Sequence, residues 1–212
     1  MRAFAVDLFC GAGGLTYGFE SAGIPVSAGV DIDGDCRYPY EANSSAEFKQ
    51  WDLTHLTHDD CGAEDCIGPS DIEGLFPENA KRILAGCAPC QPFSTMGNEG
   101  GEEHDKYELL DAFGTLIDVV EPDILVTENV PGVVDSDVYA EFRRSAEAHY
   151  GEANVWSSRV DCRDYGVPQS RRRLLLMASK YGEISLKPPT HPERDVTVRE
   201  ALEPADLPKI VA

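Results

Sequence analysis

The chain has 212 residues, 42% hydrophobic and 26% charged. That sets an expectation of one domain, large enough to bury a core without disulfides. No apolar run approaches the ~18 residues of a membrane span, and the composition is neither collagen-like nor that of a disordered chain. Lys plus Arg number 18 against 38 Asp plus Glu, a formal net charge of −20, which taken alone speaks against a polyanionic partner.

The N-terminus reaches an acid at Asp7, too soon for a secretory signal. Seven cysteines, an odd number without knot-like spacing, suit free thiols in a reducing cytoplasm. Ala3 to Phe9 reads as a buried strand that ends in the glycine turn Cys10-Gly11-Ala12-Gly13-Gly14. Leu15, Phe19 and Ala22 share one helical face, with Gly23 placed to cap it. Val26 to Ile32 is a second strand ending in acids, and Pro39 predicts that the helix after it starts late or is kinked. Residues 55–80 are polar and rich in Gly and Asp, and read as a surface insertion.

Ile83 to Cys87 is a further strand, followed by the turn Ala88-Pro89-Cys90-Gln91-Pro92. Leu109 to Val120 is amphipathic and Pro122 stops it. Asp123 to Val130 is a strand with polar residues at its C-terminal end; Val155–Val160 and Leu174–Ala178 are two more, expected to pair antiparallel. Strands alternating with helices predict a doubly wound, mostly parallel α/β sheet with an antiparallel strand near its C-terminal edge. Active residues are expected at strand C-termini, where Asp7, Asp31, Asp52, Cys90 and Glu128 fall. Residues 1–186 are expected to form the working domain and 187–212 an extended, proline-rich tail.

Charge is unevenly spread. Residues 1–80 carry three bases against fifteen acids, whereas residues 157–180 carry six bases against two. The bulk acidity reads as a solvated surface, of the kind that suits high salt, and the basic segment can still meet phosphates because salt screens beyond ~8–10 Å.

Two local patterns carry chemistry, each with a plainer alternative. Gly11, Gly13 and Gly14 let backbone approach a ligand, but their spacing is not the Gly-x-Gly-x-x-Gly of dinucleotide sites. Asp31 is placed for ribose hydroxyls; a structural tight turn is the alternative. Cys87 and Cys90 form a C-x-x-C, which a redox pair, half a zinc site, an inert pair or a single nucleophile would each explain. Cys61 and Cys66 lie in a Gly- and Asp-rich loop with no ligand-like histidine nearby, so a second zinc half is missing.

Asp7-Leu8-Phe9-Cys10-Gly11-Ala12-Gly13-Gly14, Pro89-Cys90-Gln91-Pro92-Phe93-Ser94, Glu128-Asn129-Val130 and Gln169-Ser170-Arg171-Arg172-Arg173 occur in that order. Together they closely resemble four defining motifs of the cytosine-5 DNA methyltransferase family, over residues 4 to about 202. The resemblance implies a Rossmann-like fold, S-adenosylmethionine as cofactor and double-stranded DNA as substrate. The target carbon of cytosine is too weakly nucleophilic to take a methyl from a sulfonium, so a thiolate first adds to carbon 6 and makes an enamine. By resemblance Cys90 is that thiolate. Glu128 would protonate or hydrogen-bond ring nitrogen 3, a role that calls for a carboxyl buried beside the base.

Arg171 and Arg173 would hold the cytosine carbonyl and a phosphate, with Arg172 turned away by strand alternation. Pro89, Gln91, Ser94, Asn129 and Gln169 would line the substrate side. Phe9, Gly11, Gly13, Asp31, Ile32, Asp52, Leu53 and nearby Leu110 would line the cofactor side. The target base must leave the duplex, and residues 94–104, with three glycines, would form a closing lid. No metal is implied.

Two departures qualify the likeness. Asp105-Lys106-Tyr107 puts tyrosine where the family has arginine, and no target-recognition region follows Leu202. Sequence readout is therefore expected from elsewhere, such as a second polypeptide. The alternatives are a non-catalytic module that binds cofactor or a partner, and a tRNA cytosine-5 methyltransferase. A prokaryotic restriction–modification system is the expected setting, in the cytoplasm of a salt-adapted organism or its virus.

Overall fold

The computed structural model describes residues 2–54, 56, 67–89, 108–192 and 195–202. Seven strands make one sheet: β1 (Ala3–Leu8), β2 (Val26–Asp31), β3 (Glu47–Gln50), β4 (Lys81–Gly86), β5 (Ile124–Asn129), β6 (Val155–Asp161) and β7 (Arg172–Ser179). Their spatial order is β3-β2-β1-β4-β5-β7-β6. Only β7 runs against its neighbours, pairing antiparallel with β5 and β6. The strand order turns back between β1 and β4, and the carboxyl ends flanking such a switch point are where doubly wound sheets bind ligands.

The strands' period of two divides the core between the faces. Val6 and Leu8 of β1, Leu84 of β4, Leu125 of β5 and Leu174 and Leu176 of β7 are buried in one cluster. Covering that face are α3 (Pro69–Gly74), α4 (Glu108–Val120) and α5 (Asp137–Tyr150), through Ile72, Leu116, Ile117, Phe142 and Ala146. Phe113 of α4 meets Phe142 of α5 with ring centroids 5.5 Å apart. On the other face Ala5, Val26 and Ile83 pack with Tyr40 and Phe48, beside α1 (Gly14–Ser21) and α2 (Arg37–Asn43). At the outer strands this second face is less covered, and Val126, Trp156, Leu175 and Met177 are half-buried.

Local chemistry explains the helix ends. Ser136 caps α5 by accepting from the Tyr139 N–H at 3.2 Å, and Gly151, at φ 85°, ends it. A 3₁₀ turn over Gly34–Cys36 precedes α2, so the helix starts late. Pro39 then falls in its first turn, where no backbone donor is needed.

Two expectations are corrected. The part of the supposed surface insertion that is described contributes to the core: α3 carries Ile72 (0% exposed), and Phe76 and Leu56 are buried in the same cluster. Its turn residues disguised a helix that starts at Pro69, with Asp71 accepting from the Gly68 N–H at 2.8 Å. The tail is not uniformly extended either, since α6 (Val198–Leu202) forms behind a reciprocal Thr197–Glu200 cap. Among the described residues no helix is long and apolar enough to cross a membrane.

Candidate active site

The turn after β1 is built for close approach. Phe9 (φ 57°) and Gly11 (φ 50°) adopt left-handed backbone, which costs a non-glycine residue about 1–2 kcal/mol. Gly13 (φ 87°) caps α1, and a Cβ there would lie 2.9 Å from Cδ2 of Tyr40. Tyr40, with no exposed surface, also fills the space that a Gly29 side chain would need. Its hydroxyl lies 3.0 Å from Thr16 Oγ1, which donates to Asp7 Oδ2 at 2.7 Å. The Thr16 N–H reaches the same oxygen at 3.2 Å. Burial pushes the Asp7 carboxyl up to about 7, against the opposing pull of the Thr16 hydrogen bonds.

At the carboxyl end of β2, Asp31 Oδ2 accepts from the Gly11 N–H at 2.8 Å and Oδ1 from the Asp33 N–H at 3.0 Å. The acid therefore ties the glycine turn to the second strand. Between these ends lies a pocket of about 90 Å³. Phe9, Asp31, Ile32, Asp52 and Leu53, all assigned to the cofactor by the motifs, line it. So do Pro89, assigned to the substrate side, and Trp51, Thr54 and Leu109, which the sequence reading missed.

Leu110, expected near the cofactor, is 2% exposed and packs in the core; its neighbour Leu109 turns to the pocket instead. The shift is one of helical phase, about 100° per residue. Asp52 accepts from both the N–H and hydroxyl of Thr54, which fixes the loop after β3. The pocket is smaller than the ~300 Å³ of a typical whole-ligand site, so it suits one apolar ring of a larger ligand. Ile32, 60% exposed, and Phe9 supply its apolar surfaces.

Across the switch point, β5 presents Glu128. Arg173 Nε lies 2.5 Å from Glu128 Oε1 and Arg171 lies 3.6 Å from the same atom. The Glu128 side chain is 25% exposed, and two guanidiniums engage its carboxylate. Arg172 turns to Asp161, at 3.5 Å, as strand alternation predicts.

Asn129, expected on the substrate side, donates through Nδ2 to the Ala88 carbonyl at 3.0 Å and accepts through Oδ1 from the Val130 N–H at 2.7 Å. Only 7% exposed, it holds the chain that leaves β4 through Nδ2 and the turn after β5 through Oδ1. Gln169 is exposed on the loop before β7, its N–H bonded to the Val167 carbonyl.

Cys87 is half-buried with its thiol in hydrogen-bond reach of Glu128. Burial, reinforced by the charge of Glu128, pushes that thiol up to about 12, so it stays protonated and unreactive at neutral pH. A redox thiolate at this member of the C-x-x-C is disfavoured. Cys90, Gln91, Ser94, the segment 94–104, the triplet 105–107 and the pair Cys61 and Cys66 lie outside the described residues.

Comparison with known proteins agrees with this arrangement. Residues 4–209 match the C-5 cytosine-specific DNA methylase family. The chain is 40% identical to the Type II methylase M.HgiDII of Herpetosiphon aurantiacus, over 95% of this chain and 54% of that protein. It is 33% identical to the Type II methyltransferase M.XorII of Xanthomonas oryzae pv. oryzae, over 98% of this chain and 47% of that one. The chain thus spans about half the length of these relatives. The crystal structure of S. pombe Dnmt2 methyltransferase superposes with a TM-score of 0.64 at 18% identity, over 88% of this chain and 52% of that one; at that identity it speaks to fold alone. The glycine turn, the acid with its two arginines and the family match over almost all of its length make this chain a member of the C-5 cytosine-specific DNA methylase family.

Proposed function

We propose that the chain is the catalytic part of an S-adenosylmethionine-dependent enzyme that methylates carbon 5 of cytosine in DNA. The observation that carries this reading is the convergence of Glu128, Arg171 and Arg173 at the carboxyl edge of the sheet, beside the segment that runs into Cys90. Cofactor binding is supported by the pocket beside that segment, since Pro89 closes one side of it. Phe9, Ile32 and Leu53 would hold an adenine ring, and Asp31, already bonded to Gly11, would face the ribose. When bound, the sulfonium of S-adenosylmethionine supplies the methyl group.

The residues divide the work. Cys90 adds as a thiolate to carbon 6 of an extruded cytosine, forming a carbon–sulfur bond and moving electron density toward carbon 5 and nitrogen 3. Glu128 meets nitrogen 3, where the charge gathers, while Arg173 and Arg171 fix the carboxyl and the cytosine carbonyl. After methyl transfer, loss of the carbon 5 proton and breakage of the carbon–sulfur bond restore the aromatic ring and the thiolate. Asn129 keeps Ala88, and with it the start of the nucleophile segment, against β5. Reading of a particular DNA sequence is assigned to a part of the enzyme beyond these residues, on the same chain or a second polypeptide. The setting is a prokaryotic restriction–modification system.

The test is transfer of a tritiated methyl from S-adenosylmethionine to duplex DNA, with the product of any neighbouring recognition gene supplied. Cys90→Ser should abolish label, and Glu128→Gln should reduce it by roughly 10²–10⁴-fold. Equal labelling with Cys90→Ser would defeat the mechanism. Tight S-adenosylmethionine binding without turnover would favour a non-catalytic module, and preference for RNA over DNA would favour a tRNA enzyme.

A further inference from the structure

One strand beyond the Glu128 cluster, the carboxyl edge of the sheet opens into a groove of about 480 Å³, separate from the pocket beside Phe9. It is lined by Pro131, Arg159, Val160, Asp161, Asp164 and Arg172. Pro131 follows directly on the Glu128-Asn129-Val130 segment, so the groove adjoins the end of β5. Register places its charged residues together: Asp161 lies opposite Arg172 across the β6–β7 ladder, and Arg159 is two residues back on the same strand.

The two arginines are weakly committed. Arg172, with a side chain 73% exposed, touches Asp161 only through Nε at 3.5 Å. Arg159, 58% exposed, is 3.7 Å from Asp135, itself 83% exposed. Such exposed pairs are worth about 0–1 kcal/mol and yield readily to a better anion. Asp161 does not cancel them, because Arg163 already claims it with Nε at 3.1 Å and a terminal nitrogen at 2.8 Å. Arg163 in consequence holds the Asp161 carboxyl well below the usual carboxylate range. Asp164 is the remaining acid of the lining, and Asp135 at its border is an exposed, loosely held partner of Arg159.

We propose that this groove binds a backbone phosphate of the DNA strand beside the target base, with Arg159 and Arg172 as donors. The proposal rests on the reading of the chain as a DNA methyltransferase and adds to it a contact outside the catalytic set. Exposed guanidiniums on the rim of the strand ends, next to the site of chemistry, are placed to fix the register of a duplex on the protein. They belong to residues 157–180, which hold six bases against two acids in a chain of net charge −20.

The experiment is equilibrium binding of a fluorescein-labelled, mixed-sequence duplex by the chain, followed by anisotropy from ~50 to ~200 mM salt. Replacing both Arg159 and Arg172 by alanine should lower the slope of log K against log salt by about 2 and weaken binding roughly 50-fold at ~0.1 M salt. Both side chains are exposed, so thermal stability should be unchanged. Lys180→Ala is the control: it removes one charge just past β7, at the opposite edge of the sheet, where Lys180 Nζ donates to the Glu121 carbonyl. It should leave slope and affinity unaltered. An unchanged slope in the double variant, with the wild type still binding, would overturn the groove and leave the enzyme reading standing. An equal loss per charge from Lys180→Ala would overturn it as well, by showing bulk charge to be the cause. A wild-type chain that binds no duplex even at the lowest salt would overturn the groove, while the DNA reading is decided separately by methyl transfer with the recognition part supplied.

Discussion

Asp7→Asn should stabilise the protein at neutral pH and do little in mild acid. Asp7 is 1% exposed on β1, and among the described residues its hydrogen-bond partners are the N–H and hydroxyl of Thr16, both on Oδ2. Burial, with a smaller push from the Asp31 charge, lifts its carboxyl from 3.8 to about 7. Because the folded value exceeds the unfolded one, the folded state keeps a proton that the unfolded state has lost between about pH 4 and pH 7. Stability from this group is therefore complete below pH ~4 and falls away as pH rises to ~7.

A shift of about three units at 1.36 kcal/mol each amounts to about 4 kcal/mol across that window. An asparagine keeps the shape, accepts from the Thr16 N–H, and carries no charge to desolvate. Urea unfolding of both proteins from pH 4.5 to 8 would give the difference in stability at each pH. Taking the difference removes the other 37 of the 38 acids, which titrate alike in both. The gap should open steadily toward pH 7 and then level off. A gap that stays constant over the range, or that closes as pH rises, would refute the argument that burial controls Asp7.

Three further outcomes follow from the packing around the site. Gly29→Ala would place a Cβ 2.3 Å from the ring and hydroxyl of the fully buried Tyr40; it should cost about 1–3 kcal/mol in urea unfolding, and should weaken S-adenosylmethionine binding in calorimetry because Tyr40 also underlies Gly13. In the folded protein at pH 8, iodoacetamide followed by mass spectrometry should leave Cys87 unlabelled, since its thiol is pushed up to about 12, and Cys87→Ala should keep methyl transfer; rapid labelling of Cys87 would contradict the assignment of an inert thiol. Asn129→Asp retains the acceptor for Val130 but loses the donor to Ala88, so it should lower kcat more than it raises KM, whereas equal effects would mean that the tether does not position the nucleophile segment.

The strands that carry the motifs were legible because each is a short, continuous apolar run that ends in glycine, proline or acid. β3 was not, since Glu47–Gln50 is four residues long with one apolar side chain, Phe48. Its absence from the reading hid Trp51 and Thr54, which follow it into the pocket. α5 carried a usable signal that went unread: Tyr139, Phe142, Ala146 and Tyr150 recur at helical spacing behind the cap residue Ser136. α3 was hidden by its own punctuation, Gly68, Pro69 and Gly74, which composition scores as loop although the first two start a helix and Ile72 fills the core. Asn129 shows a different limit. Sequence placed it next to the acid, but only the fold reveals that Ala88 comes within reach of it.

The arrangement of charge at the site depends on hydrophobic residues remote from it. Arg172 and Arg173 open β7 directly after Arg171, and strand alternation sends Arg172 and Arg173 to opposite faces. Which of them faces Glu128 is decided by register. Glu128 pairs with Leu175, so Arg173 lies diagonal to the acid on the same face. A slip of one residue along β5 would bring Arg172 to Glu128 and turn Arg173 toward the groove. What prevents the slip is the other end of the strand, where Leu174, Leu176 and Ala178, at most 3% exposed, are buried on the face covered by α5. Exposing those three side chains would cost several kcal/mol, at about 25 cal/mol for each Å² of apolar surface. The Arg173–Glu128 contact, at a quarter-exposed carboxylate, could not repay that. The apolar half of β7 therefore chooses which guanidiniums serve the acid and which one is left for the rim.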